Sequence, residues 1–170
     1  MNWIKKTLIF VTLIVSTSAN SKNVTPVLFP PVAEDSLAII VNKSNPIDNL
    51  SFAELRKTFL AETRAWSNGR RVTLVMREQG QPDRSSVLRQ IYRMSEGDFN
   101  RHFLQAAFNG LAEGPPKSLA TADGVRKFIF NVPGAIGYVR SNEVDESVKV
   151  VRIDGLGPDA PGYKLKISGK

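Results

Sequence analysis

Val72-Thr-Leu-Val-Met-Arg77-Glu-Gln-Gly-Gln-Pro82-Asp-Arg-Ser-Ser-Val87 joins an apolar run to a polar loop and then to a helix-forming stretch. Val72–Met76 is rich in β-branched residues and apolar except for Thr73, as expected of a buried strand. Residues 77–83 are polar and carry Gly80. Pro82-Asp83 suits the first turn of a helix, where a missing N–H costs nothing and an acid is favoured. Val87, Leu88, Ile91 and Met94 then recur on one helical face. Strand, loop and helix in this order is the unit of a layered α/β fold.

Working outward, the same alternation continues. Leu37–Val41 (LAIIV) is another buried-strand run. Ser51-Phe-Ala-Glu54 is a capping box, in which hydroxyl and carboxylate each satisfy the other residue's backbone N–H. It opens a helix that places Phe52, Leu55 and Phe59 on one face and ends near Leu60. Trp66-Ser-Asn-Gly69 reads as a turn. Ser95-x-x-Asp98 starts a helix with Phe99, Phe103 and Ala106-Ala107 inward, and Asn109-Gly110 stops it. After the loop Glu113–Pro116, a helix from about Thr121 turns Val125, Phe128 and Ile129 inward. Ala135–Val139 and Val148–Ile153 complete four strands. The expected architecture is a three-layer α/β sandwich with a largely parallel sheet, helices covering both faces. Ligands of such folds sit beyond the carboxyl ends of the strands, so the loop 77–83 is the first candidate site.

The ends read differently from the middle. Met1–Lys6 is basic, Thr7–Val15 is a nine-residue apolar run, and Ser16–Ala19 are small. That is the form of a secretory signal, too short to span a bilayer. Cleavage is expected after Ala19. Residues 20–35 hold three prolines and form an extended lead-in. The domain proper is expected over 36–155, and residues 156–170, with their Gly and Pro, form a loose tail.

The chain has 170 residues, 42% hydrophobic and 23% charged, with a formal charge of +7 that falls to +5 without residues 1–19. One domain is expected at this length. The absence of Cys excludes thiolate metal sites and cysteine nucleophiles. A single His, His102, argues against His-based catalysis or zinc. No basic run is interleaved with aromatics, which argues against nucleic acid. No nucleophile–base pair stands out, so the expectation is binding rather than catalysis, with no cofactor.

Two further stretches carry a resemblance. Leu50-Ser-Phe-Ala-Glu-Leu-Arg-Lys-Thr-Phe-Leu60 followed by Trp66-Ser-Asn-Gly69, and Pro133-Gly-Ala-Ile-Gly-Tyr-Val139, occur with the polar loop between them. Together they resemble the phosphate-type, PstS-like solute-binding proteins of ABC transporters. The resemblance covers about residues 37–140 and implies one lobe of a type II periplasmic-binding fold. It also implies a periplasmic location, phosphate or a related oxyanion as ligand, and an ABC transporter or other envelope protein as partner. A second copy is an alternative source of the facing wall.

In that family an Arg and a Ser-Gly-Thr-like segment receive the anion. Arg77 matches the Arg, and Gln81, Pro82 and Asp83 fall on the three small residues. The candidate ligand-binding residues are therefore Arg77, Gln81, Arg84, Ser85 and Ser86. Pro82 removes an N–H, and Asp83 puts a carboxylate where the anion would sit. As a purely structural residue, Asp83 is a helix N-cap. Trp66, Gly134, Gly137 and Tyr138 read as packing residues, and Phe99, Phe103 and Phe108 as core. The competing function is a protein–protein interaction module that has lost solute binding.

Overall fold

A computed structural model describes residues 35–112 and 114–167. These belong to one compact unit. The secretory signal and most of the lead-in lie outside the described residues. The elements run β1 (Leu37–Val41), β2 (Asn49–Leu50), α1 (Phe52–Phe59), β3 (Thr73–Arg77), α2 (Pro82–Val87), α3 (Glu96–Phe108), β4 (Lys117–Leu119), α4 (Ala122–Asn131), β5 (Ala135–Arg140) and β6 (Lys149–Ile153). A π-helical turn, Leu88–Tyr92, extends α2 and ends at Arg93 in the left-handed region. The short strands β2 and β4 are additions to the four strands expected from hydrophobic runs. At two and three residues they are too brief to show a periodicity.

The six strands form one sheet in the order β2-β6-β1-β5-β3-β4. The β2–β6, β5–β3 and β3–β4 pairs are parallel. Only β1 runs the other way, pairing antiparallel with β5 and β6. The sheet is thus largely parallel, as its apolar runs imply. Helices cover both faces. Leu37, Ile39, Val41, Met76, Ile136 and Tyr138 point into a core with α1, the α2 region and α3. Ala38, Ile40, Val75, Ala135 and Val139 face α4 through Val125 and Ile129. Alternate residues of β1 and β5 therefore serve opposite cores, the period-two consequence of the pleat.

The caps explain where the helices begin. The Glu54 backbone N–H donates to Ser51 Oγ at 3.2 Å, and the Ser51 N–H donates to Glu54 Oε2 at 2.8 Å. Ser95 and Thr121 accept from the backbone of Asp98 and Gly124 in the same manner. At α2 the pattern differs from the expectation. Gln81 is the N-cap and makes no side-chain cap bond, while Asp83 lies inside the first turn. Its carboxylate is taken by side chains from elsewhere in the fold.

The two motifs that carry the resemblance meet each other. Trp66 is buried, and its indole N–H donates to the Gly134 carbonyl at 2.9 Å. The same carbonyl accepts from the Thr73 N–H at 3.0 Å. A Cβ on Gly134 would stand 1.9 Å from the Arg71 carbonyl oxygen, so only glycine allows that approach. Gly137 packs its backbone 3.0 Å, measured from a built Cβ, from the Val75 carbonyl. These signature positions weld β5 to β3.

The domain also extends further than its composition suggests. Tyr163, Leu165 and Ile167 are buried in the larger core. The Leu37 N–H donates to Leu165 O at 2.9 Å, and Tyr163 Oη donates to Leu37 O at 2.9 Å. Residues 156–167 are thus a packed strap rather than a loose tail. Its alternating Tyr163, Leu165 and Ile167 are a short strand-like signal hidden among Gly and Pro. His102 is half-buried, with Nε2 3.2 Å from the Leu60 carbonyl oxygen.

Candidate functional site

Topology decides which residues share the carboxyl edge of the sheet. β3 and β5 are parallel neighbours, so their last residues, Arg77 and Arg140, emerge at the same end. β1 is antiparallel to β5, with Leu37 opposite Arg140, so Asp35 arrives there from the start of the chain's first strand. The α2 segment follows β3 directly and adds Asp83 and Arg84.

Asp83 is the centre of this cluster. Its side chain is 3% exposed. Arg140 Nε donates to Oδ1 at 3.0 Å, and Arg77 Nη1 lies 3.7 Å from Oδ2. Arg140 also donates through Nη1 to Asp35 Oδ2 at 3.0 Å. Burial works against the Arg140 charge, but Asp83, Asp35 and Glu143 together hold its pKa above the ordinary arginine value. A carboxylate buried between guanidiniums is a charge that would cost several kcal/mol alone and is sustained by its partners.

Arg77 is less fully satisfied. Its Nη2 donates to the Ala120 carbonyl at 3.0 Å, and its backbone N–H donates to Tyr138 Oη at 3.2 Å. Its Nε and Nη1 are buried and make no hydrogen bond. Most buried polar groups find a partner, so a guanidinium with two open donors invites an acceptor. The Tyr138 hydroxyl beneath it is pushed well above the ordinary phenol range by burial, and so stays neutral.

Arg84 has a different task. It grips Glu96 with two bonds, Nε to Oε1 at 2.5 Å and Nη2 to Oε2 at 3.0 Å. Nη1 donates to the Arg77 carbonyl at 2.9 Å, and the guanidinium lies 4.9 Å from the Phe99 ring centroid. Burial opposes its charge, and the Glu96 hydrogen bonds and charge more than compensate, raising its pKa. It braces α3 against the end of β3. Ser86 is buried as well. Ser85 is exposed, and its Oγ donates to Gln81 O at 3.3 Å. Gln81 is half-buried at the lip of the loop.

Of the residues singled out from sequence, Arg77, Gln81 and Ser85 line the loop, whereas Arg84 and Ser86 turn inward. Arg140, Asp35 and Glu96 are additions that sequence reasoning missed. Arg140 was findable: it directly follows the Ala135–Val139 run, and strand carboxyl ends are where such folds place their ligands. Among the described residues no cluster of His, Cys, Asp or Glu could hold a metal ion. None of the described helices is long and apolar enough to cross a membrane.

Comparison with known proteins adds a family frame. No family model matches the chain. The phosphate-binding protein PstS of Bacillus subtilis (strain 168) is 28% identical over 130 residues, which cover 76% of this chain and 39% of that protein. The chain is similar to PstS-like phosphate-binding proteins over this stretch. The PstS-like fold is supported by solved structures as well. An ABC-type phosphate transport receptor from Vibrio cholerae superposes with a TM-score of 0.59 at 20% identity, over 73% of this chain and 48% of the receptor. A putative phosphate ABC transporter substrate-binding protein from Clostridium perfringens, solved with bound phosphate, gives 0.59 at 20% identity, over 73% and 47%. The chain spans about two-fifths to half of the length of the relatives it matches.

Proposed function

We propose that the chain is a lobe of an exported, periplasmic solute-binding protein that receives phosphate or a related oxyanion, without catalysis, at the carboxyl edge of its sheet. The observation that carries the reading is the buried pair of open donors, Nε and Nη1, on Arg77. It is supported by the names of the PstS-like relatives, which are phosphate-binding proteins and receptors. Arg77 supplies charge-assisted hydrogen bonds, Arg140 a second guanidinium on the far side of Asp83, and Gln81 and Ser85 polar groups at the lip. Arg84 and Ser86 hold the loop from beneath. The rest of such a protein, an envelope partner such as an ABC transporter, or a second copy would supply the facing wall.

Asp83 sets the selectivity in this account. Its carboxylate repels a fully deprotonated anion but accepts a hydrogen bond from one that carries a proton. Monohydrogen phosphate has that proton at neutral pH and sulfate does not. The test is the thermal midpoint of the purified chain with phosphate or sulfate at fixed ionic strength. A ligand that binds only the folded state raises the midpoint with concentration. Phosphate should raise it, sulfate should do so less, and Arg77→Met should abolish the rise. An unchanged midpoint in wild type would leave Asp83 as a permanent internal counter-ion and favour the protein-interaction reading.

A further inference from the structure

We propose a second binding site, at the amino end of β3, for a small amphiphilic anion: an apolar body carrying one carboxylate or similar head. A cavity of about 450 Å³ opens there between the end of α1, the start of β3, residues 111, 112 and 114–117, and α4. That volume lies in the range of small-molecule pockets. Phe103, Leu111 and Phe128 supply apolar wall, and Arg64 and Lys117 supply cations, with no Asp or Glu among the described lining residues. Arg64 and Lys117 are exposed, and neither pairs with a carboxylate among the described residues. The proposal rests on these two cations.

The chemistry of the walls selects the ligand class. Inorganic phosphate has no apolar part and gains nothing from Phe103 or Phe128. A neutral hydrocarbon leaves the cations unused. An anion with a short alkyl or aryl body satisfies both. Leu111 is 50% exposed, so its apolar surface is open to water until something covers it. A body seated against Phe103, Leu111 and Phe128 places its head beside Arg64 and Lys117 at the rim. The site is separate from the Arg77 cluster, which gathers at the opposite end of the same strand.

The test titrates hexanoate, octanoate and neutral octan-1-ol into the whole chain, following backbone amide resonances and calorimetric affinity. Octanoate should shift Leu111 and Thr73 resonances. Affinity should climb about fourfold per added methylene, as burial of each CH₂ predicts. Octan-1-ol should bind several-fold more weakly than octanoate. The double variant Arg64→Glu/Lys117→Glu should lose about tenfold in octanoate affinity, the scale of exposed charge pairs, and keep the wild-type unfolding midpoint. Leu111→Glu, at an exposed position, should weaken octanoate similarly. Octanoate binding that ignores both variants, an absent chain-length dependence, or shifts confined to residues around Arg77 would each overturn the second site.

Discussion

The two ends of β3 handle charge in opposite ways. At its carboxyl end, Arg77, Arg84 and Arg140 face Asp83, Glu96 and Asp35; Arg77, Arg84 and Asp83 are buried, and the charges are mutually held. At its amino end, Arg64 and Lys117 stand exposed at a cavity with an apolar wall. In the first arrangement an incoming ion must compete with ions already in place. The second leaves its cations to solvent and its apolar wall partly uncovered. The contrast teaches that a count of basic residues says little about anion binding. What matters is whether each cation already has a partner in the fold.

Breaking the brace at the carboxyl end should have the largest effect. Arg84→Met strands the Glu96 carboxylate and the Arg77 carbonyl, and should cost about 3 kcal/mol, at the lower end for a broken buried pair because Glu96 is partly exposed. Urea unfolding measures it. A loss below about 1 kcal/mol would mean that the charged edge does not hold α3 to the sheet.

Removing the central carboxylate should cost less. Asp83→Asn keeps shape but leaves Arg77 and Arg140 facing one another without a counter-ion, a loss of about 2 kcal/mol given that Arg140 is partly exposed. Phosphate should restore more stability in this variant than in wild type, and the preference for phosphate over sulfate should shrink. A variant that keeps the wild-type preference would show that Asp83 does not face the ligand.

The buried phenols beneath the same edge set an alkaline limit. Burial raises Tyr92 and Tyr138 well above the ordinary phenol value. A raised folded pKa means that the stabilisation is complete below the unfolded value, near 10, and is lost as pH rises above it. Stability should therefore be insensitive to these groups at neutral pH. It should fall above about pH 10 by about 1.4 kcal/mol per pH unit for each phenol. Tyr138→Phe should flatten that slope, read by unfolding at pH 9 and pH 11. The smallest effect belongs to the other end of the strand: Arg64→Ala and Lys117→Ala should each stay within about 0.5 kcal/mol of wild type.

Much of this organisation is legible from sequence because it is local or periodic. The capping box at Ser51, the apolar runs of β1, β3 and β5, and the strand–loop–helix unit around Arg77 follow from neighbouring residues. The reversed direction of β1 does not, since a run buried on both faces reads alike in either direction. Nor does the strap through Tyr163 and Leu165, where Gly and Pro mask three core residues. The loop 77–83 was identifiable as the candidate site, and so were its polar residues. Their division of labour was not. Arg77 and Arg84 are seven residues apart and equally basic on paper, yet one keeps open donors while the other is consumed by Glu96. That difference is set by α3 and by Arg140 and Asp35, which reach the edge from distant parts of the chain.

The central claim is that Arg77 offers Nε and Nη1, which make no hydrogen bond within the fold, to a protonated oxyanion. The most direct measurement is the thermal midpoint of wild type and Arg77→Met across a phosphate series up to 10 mM, with sulfate at matched ionic strength as control, about a hundredfold beyond a dissociation constant of about 0.1 mM. A concentration-dependent rise with phosphate, smaller with sulfate and absent in Arg77→Met, is the predicted result. Equal rises in both proteins, or none in wild type, would contradict it.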